Sequence, residues 1–323
     1  MFIAYNHPSV RASGRWAPVG NALCATATGS YVELAFRGTY ALLRFDQTWS
    51  QPPYPHVWLS VDGGAQVEVP LDRYLRVSAP DGDHVVKILL KGAVEQQHRW
   101  HHPLVGKIAF LGYDAEAPAT LPEDPRKTIE FVGDSITEGV LIDAFLHDHK
   151  NDQLDRPYMD DVCATYAYLT AQALGLRSLH CGYGATGITR SGCGGVPKVS
   201  ETYPYCFQNA PVTYDHPDYI LINHGANDRG AGCEAYINGY REFLKQVRAA
   251  HPESKIIVLS AFVGAWPQEL GAMVREHNLA YNDDVFFIDT TDWIPKDPLH
   301  PLRDGHRIVA NNLIPLLKER YSL

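Results

Sequence analysis

Phe131-Val132-Gly133-Asp134-Ser135-Ile136-Thr137-Glu138-Gly139 is the stretch on which the reading of this chain turns. The apolar run from Ile129 to Val132 leads into it and reads as a buried strand. A Gly-Asp-Ser turn leaving such a strand places a serine hydroxyl at the carboxyl end of a sheet, where open α/β folds put their ligands. Two segments far downstream supply what a nucleophilic serine needs. Pro217 to Asp228 is a strand ending in Gly225-Ala226-Asn227-Asp228. Asp297-Pro298-Leu299-His300 is an Asp-x-x-His turn just before the last helix.

Outward from this stretch, the C-terminal part alternates between two periods. Strands at 128–132, 177–181, 218–223, 255–260 and 285–289 are separated by helical patterns. One helix, about 234–250, carries Tyr236, Ile237, Tyr240, Phe243, Leu244 and Val247 on a single face. Another, about 163–174, stops at Gly175. Alternating β and α elements predict a three-layer α/β/α domain with a parallel sheet, over residues 127–323. The first 115 residues read differently. Segments 31–36, 40–45, 57–61, 67–69, 84–90 and 107–111 are strand-like, and Asp62-Gly63-Gly64 is a strong hairpin signal. Many short strands with Gly and Pro turns predict a β-sandwich or jelly roll over residues 1–115. The Pro-rich polar stretch 116–126 reads as a linker.

Composition narrows the partners. Hydrophobic content of 45% and charged content of 20% are ordinary for a globular chain. A net charge of -9 without a Lys/Arg cluster argues against nucleic acid. No apolar run approaches a membrane span. The start, Met1 to Pro8, lacks a basic and an apolar leader region, which predicts a cytoplasmic protein. Six scattered cysteines with no C-x-x-C spacing read as buried thiols, although four of them fall between 181 and 233, where one disulfide is conceivable. The sequence leaves the oligomeric state open, a homo-oligomer included.

The chemistry follows from the residue types. A serine hydroxyl attacks well only when a base takes its proton, and imidazole titrates near neutral pH. Asp297 lies three residues before His300, so one tight turn can bring its carboxylate to the ring and stabilise the imidazolium. His306 competes with His300 for the base, and Asp304 with Asp297. The plainer roles are packing for His306 and a helix cap for Asp304. Ser135 as a helix cap and Asn227 as an Asx-turn are the corresponding plain roles for those residues.

These blocks, with Gly184-Ala185-Thr186-Gly187 between them, resemble the SGNH (GDSL-type) hydrolase superfamily over about residues 127–323. The resemblance implies Ser135 as nucleophile, His300 as base through the Asp-x-x-His-Pro pattern, and Asp297 as the acid. It implies an oxyanion hole made of the Ser135 N–H, the Gly187 N–H and the Asn227 amide, with Gly184 the near alternative to Gly187. It implies no metal or organic cofactor. The chain departs from the family where many members have Asn five residues before the oxyanion glycine, since Gly182 stands there. A β domain ahead of an SGNH domain is similar to family 2 carbohydrate esterases. The function this implies is removal of short acyl groups, acetyl above all, from a small-molecule or oligosaccharide ester. The alternatives are an acyl hydrolase of lipid, thioester or aryl esters, and a carbohydrate-binding protein with an idle hydrolase domain.

Other features read as plain structure. His98-Arg99-Trp100-His101-His102 is read as a loop or strand at the domain interface, with Trp100 a candidate for stacking on a sugar ring. The acid-rich stretch Asp148 to Asp161 lacks the spacing of a calcium loop and reads as a solvated loop or lid. Gly182-x-Gly184-x-x-Gly187 matches the dinucleotide fingerprint only superficially.

Overall fold

The computed structural model describes residues 1–144, 156–213 and 216–323. Its first twelve strands form two antiparallel sheets. One runs β3 (Ala17–Val19), β4 (Ala22–Ala25), β11 (Ile108–Asp114), β6 (Tyr40–Phe45), β9 (Tyr74–Ser78), with β1 (Phe2–Ala4) paired to β11. The other runs β12 (Ala117–Pro118), β5 (Tyr31–Arg37), β10 (Asp83–Gly92), β7 (His56–Val61), β8 (Val67–Pro70), with β2 (Val10–Ser13) paired to β5. Side chains alternate across a strand, so one face of each sheet turns inward. Val32, Leu34 and Phe36 from β5 meet Ala41, Leu43 and Phe45 from β6 in one buried cluster. Asp62 and Gly63, with φ of 50° and 68°, make a tight turn closed by the Gly64 N–H on Val61 O, within the loop that joins β7 to β8.

Strands β1 to β4 and β9 are additions to the expected set. Most are three or four residues long, and β3, Ala17-Pro18-Val19, shows no alternation to read. The stretch expected as a linker begins as an edge strand. Ala117 and Pro118 pair with Arg37 and Phe36, and the Ala119 N–H donates to Ala35 O. Proline is tolerated there because an edge strand need not donate outward.

The second part holds a five-stranded parallel sheet. Its order is β14 (Arg177–Gly182), β13 (Thr128–Gly133), β17 (Tyr219–Asn223), β18 (Lys255–Leu259), β19 (Phe286–Ile288). A short antiparallel pair, β15 (Tyr205–Phe207) and β16 (Ala210–Pro211), stands apart. The helices are α1 (Ser135–Glu138), α2 (Arg156–Met159), α3 (Tyr166–Ala173), α4 (Val199–Thr202), α5 (Cys233–Ala250), α6 (Pro267–Tyr281) and α7 (Arg303–Tyr321). Ile129, Phe131, Leu221 and Ile257 pack against α3 and α7 on one face. Val132, Ile220, Ile222 and Val258 pack against α5 and α6 on the other. Strands buried on both faces explain the continuous apolar runs in the sequence.

The helix expected from 163 is divided. Val162–Ala164 is a 3-10 turn, and the Thr165 hydroxyl then caps α3 by accepting from the Tyr168 N–H. Residues 148–155 of the acidic stretch lie outside the described residues. Asp160 and Asp161, which follow α2, are buried rather than solvated. All six cysteines are free, with Cys24, Cys181 and Cys206 buried. Among the described residues no helix is long and apolar enough to cross a membrane.

The two parts share a core. Cys24, Trp100, Leu104 and Ala109 of the sandwich lie in the same cluster as Val132, Ile222 and Phe243. Trp100 is 5% exposed, so it is a core residue and not a sugar-stacking platform. Arg15 reaches Glu130 on β13 at 2.9 Å, and both side chains are buried. Arg99 pairs with Glu138 on α1, again with both side chains buried.

Candidate active site

The sheet winds outward in both directions from the boundary between β13 and β17. In open α/β sheets the crevice at the carboxyl ends beside such a switch point is where ligands bind. Ser135 follows β13, and Asn227 follows β17. Topology alone therefore brings together two residues 92 positions apart (227 less 135).

Asp134 is the residue that caps α1, its carboxylate accepting from the Ile136 N–H at 3.0 Å. Ser135 is thus free of the capping role. Its Oγ lies 2.9 Å from His300 Nε2. As the first residue of α1, Ser135 also holds one of the helix-start N–H groups that have no partner within the helix. Behind it there is no spare room. A Cβ on Gly133 would stand 2.1 Å from Thr137 Oγ1, and one on Gly139, at φ 89°, would stand 2.6 Å from the Asp161 backbone. Both glycines are required by close approach, and Gly139 also by its left-handed turn.

His300 is half-buried, and that burial lowers its pKa from the ordinary 6.5. The negative charge of Glu95 opposes that shift and the positive charge of Arg156 adds to it. The neutral imidazole that a general base requires is therefore favoured at neutral pH. His306 is the packing residue. Its Nδ1 accepts from the Tyr166 N–H at 3.1 Å, its ring stacks on Tyr166, and burial pushes it down to about 3. Asp304 does not cap α7. It is exposed and pairs with Arg307, while Leu302 occupies the cap position without a side-chain bond.

Asp297 lies away from the His300 ring. It is exposed, and among the described residues it makes no hydrogen bond to His300. The turn runs over the surface, where a carboxylate keeps its water.

Asn227 Nδ2 donates to Thr186 O at 3.0 Å and to Asp134 Oδ2 at 3.3 Å. The amide is thus tied to both the nucleophile turn and the loop after β14. Burial pushes Asp134 up to about 7, with Asp228 and Glu138 adding to the rise against the Ile136 N–H. Asp228 organises the other side. It accepts from the N–H of Ile188 at 3.1 Å and of Thr189 at 2.8 Å. A Cβ on Gly187 would stand 2.7 Å from that carboxylate. The Gly187 N–H is committed to Arg190 O at 3.0 Å. The Gly184 N–H, by contrast, makes no hydrogen bond among the described residues, so Gly184 is the glycine with a donor to spare.

The sequence reading missed three charged residues at this site. Glu95 comes from the loop after β10, and Arg156 and Asp160 lie on or beside α2. Arg156 reaches Glu95 Oε1 at 3.2 Å and Asp160 Oδ1 at 3.5 Å. Arg156 and Asp160 fall in the acid-rich stretch that reads as a solvated loop, and Glu95 has no local mark, because its contact to Arg156 joins residues 61 positions apart. His101 bonds Gln208, and His102 stacks edge-on against Phe207. Among the described residues no group of His, Cys, Asp or Glu is arranged to hold a metal ion.

A half-buried histidine bonded to a serine at the switch point of a doubly wound sheet is an arrangement in which an imidazole can take a serine proton. The GDSL-like Lipase/Acylhydrolase family matches residues 131–308, more than half of the chain, and the chain belongs to that family, as a carboxylic ester hydrolase. It is similar to an acetylxylan esterase / glucomannan deacetylase of Cellvibrio japonicus, 27% identical over 254 residues, covering 74% of this chain and 67% of that protein. The fold matches a family two carbohydrate esterase from Cellvibrio japonicus with a TM-score of 0.80 and 22% identity, over 99% of this chain and 97% of that one. It also matches a family two carbohydrate esterase from Clostridium thermocellum in complex with cellohexaose, with a TM-score of 0.78 and 21% identity, over 97% and 99%. The last two likenesses span both the sandwich and the parallel-sheet part.

Proposed function

We propose that this protein removes short acyl groups, acetyl foremost, from carbohydrate hydroxyls by acyl transfer through Ser135. The observation that carries the mechanism is the 2.9 Å contact between Ser135 Oγ and His300 Nε2. Ser135 Oγ attacks the ester carbonyl carbon, and its proton passes to His300 Nε2. The oxyanion is held by the Ser135 N–H, by the Asn227 amide and by a backbone N–H of the loop after β14, for which Gly184 has the uncommitted group. His300 then returns the proton to the leaving sugar oxygen as the carbon–oxygen bond breaks. A water deprotonated by His300 attacks the acyl-serine, releases the carboxylic acid and restores Ser135.

The acetyl and sugar assignments are supported by the likeness to the Cellvibrio japonicus acetylxylan esterase / glucomannan deacetylase. The test is hydrolysis of 4-nitrophenyl acetate, 4-nitrophenyl butyrate and acetylated xylo-oligosaccharides by wild type and Ser135→Ala. The expected outcome is activity on both acetates, much less on the butyrate, and loss in the variant of about 10⁴-fold or more. Tolerance of long acyl chains would move the substrate to lipids. A Ser135→Ala enzyme as active as wild type would remove the nucleophile from this account.

A further inference from the structure

Among the described residues the ring of His300 makes one side-chain hydrogen bond, the 2.9 Å contact with Ser135. Asp297 stands exposed and apart. A base that must meet a serine within hydrogen-bond reach needs another fixture, because reacting groups displaced by about 1 Å can lose about 10²-fold in rate. The chain supplies one just beyond the histidine. Arg303 is the first residue of α7. Its Nε and Nη2 donate to the two oxygens of Asp143 at 2.5 and 2.6 Å, and Nη2 also reaches Asp161 Oδ2 at 3.0 Å. Both carboxylates are buried.

We infer that Arg303 holds His300 against Ser135, by clamping the start of α7 to the two segments of chain that are bonded to the end of α1. Arg303 is a positioning residue in this role: it bonds neither Ser135 nor the His300 ring, and it acts through the short backbone from His300 to Arg303. The inference rests on the Ser135–His300 reading of the site.

The carboxylates that Arg303 grips are tied to the nucleophile. The N–H groups of Gly139 and Val140 both donate to Ser135 O at 3.0 Å, which turns the chain sharply out of α1 towards Asp143. Residues 159–161 are bonded back to this exit. The Asp161 N–H donates to Gly139 O at 2.9 Å, the Asp143 N–H to Met159 O at 3.0 Å, and the Leu141 N–H to Asp160 Oδ1 at 2.7 Å. Asp161 is fixed further by Trp58 of the sandwich, whose Nε1 donates to Oδ1 at 3.0 Å, and by the Cys163 N–H on the same oxygen at 2.9 Å. Its Oδ2 is the atom that Arg303 takes. A guanidinium suits this task, since its donors form a rigid planar fork that can span two carboxylates, whereas an ammonium is a point charge on a flexible stem. One turn along α7, His306 Nδ1 accepts from the Tyr166 N–H of α3 at 3.1 Å. The base is therefore carried on the end of a helix whose first turn is pinned on two sides, and one of the two pins runs to the helix of the nucleophile.

The test is 4-nitrophenyl acetate hydrolysis by Arg303→Gln and Arg303→Lys, with rates expressed per active site. Sites are counted by the 4-nitrophenol released from a 4-nitrophenyl phosphonate, as Ser135 Oγ bonds to phosphorus and the nitrophenolate leaves. A residue that only stabilised the fold would change the number of sites and leave each at wild-type speed. Acylation and deacylation both pass through His300, so Arg303→Gln should lower kcat per site by about 10²-fold with KM within about threefold. Arg303→Lys keeps the charge without the fork and should recover part of that loss. A per-site kcat in Arg303→Gln within about threefold of wild type overturns the inference. If that variant does not fold, Asp143→Asn, which takes away the bidentate partner, answers in its place: a per-site kcat within about threefold of wild type overturns the inference there as well. Ser135→Ala, run in parallel, separates the two levels. Its full activity would overturn the nucleophile and the clamp with it, whereas its inactivity beside a wild-type Arg303→Gln would remove Arg303 alone.

Discussion

In the proposed mechanism His300 acts as the base because it is partly buried. Burial disfavours the charged imidazolium, which frees Nε2 to accept the Ser135 proton at neutral pH. The same residue must carry that charge briefly in the transition state, and so the donors around the ester carbonyl matter as much as the base. Asn227 holds its amide between Thr186 O and Asp134. Asn227→Ala should lower kcat by about 10²–10³ with a smaller change in KM, because an oxyanion donor acts chiefly in the transition state. Equal losses in kcat and 1/KM, or a loss under about threefold, would take Asn227 out of the oxyanion hole. Asp297 gives the opposite expectation. An acid bonded to the catalytic ring is worth about 10⁴ in kcat, but an exposed carboxylate off the ring is worth little. Asp297→Asn should keep kcat within about tenfold of wild type. A fall near 10⁴ would place it on the ring during turnover.

At the scale of elements, α1 is four residues long and cannot stand by propensity. Its ends are fixed instead: Asp134 caps the start and Gly139, at φ 89°, closes the end. Its last side chain, Glu138, is buried and paired with Arg99 from the sandwich, while Thr28 Oγ1 donates to Glu138 O at 3.1 Å. Removing one member of a buried pair strands the other charge and costs about 3–5 kcal/mol. Arg99→Met should therefore lower unfolding free energy by about that amount in urea, and Arg99→Met with Glu138→Gln should recover much of it. A loss under about 1 kcal/mol in the single variant would mean that Glu138 finds water or a proton cheaply.

This element also marks how far the sequence could be read. Asp134-Ser135 at a strand end, Asn227 after β17 and His300 before α7 were legible because each follows a strand or precedes a helix with a strong period. The parallel strands were legible because both their faces are buried. Short strands such as Ala17–Val19 were not, since three residues carry no period. Asp304 was misread as a cap, because an acid near a helix start can equally pair with Arg307. Arg99 and Trp100 sit in a run whose sequence reads as a loop or strand at the domain interface, and the packed structure buries both, Trp100 in the core rather than against substrate. Glu95 had no local signal at all, since its partners belong to the other domain.

Over the whole molecule, the boundary between sandwich and parallel sheet behaves as interior. Trp100, Leu104 and Cys24 from one side and Val132, Ile222 and Phe243 from the other form one buried cluster. Polar groups cross it as well. Arg15 donates to Glu130 at 2.9 Å and to the carbonyls of Tyr203 and Tyr205 at 2.8 and 2.9 Å. Lys91 donates to Pro157 O at 2.9 Å, and the Gly29 backbone packs against the His180 ring. Opening this boundary would expose apolar surface worth about 25 cal/mol per Å² and strand buried ions at the same time. Neither half is then a stable intermediate on its own. Heating should give a single calorimetric transition with equal calorimetric and van't Hoff enthalpies, the signature of two-state unfolding, although chains of this size often unfold domain by domain. Arg99→Met should shift that transition as a whole, because Arg99 bonds across the boundary. Two resolved transitions, with the variant moving only one, would show that the sandwich and the hydrolase domain melt independently and that the buried charges do not couple them.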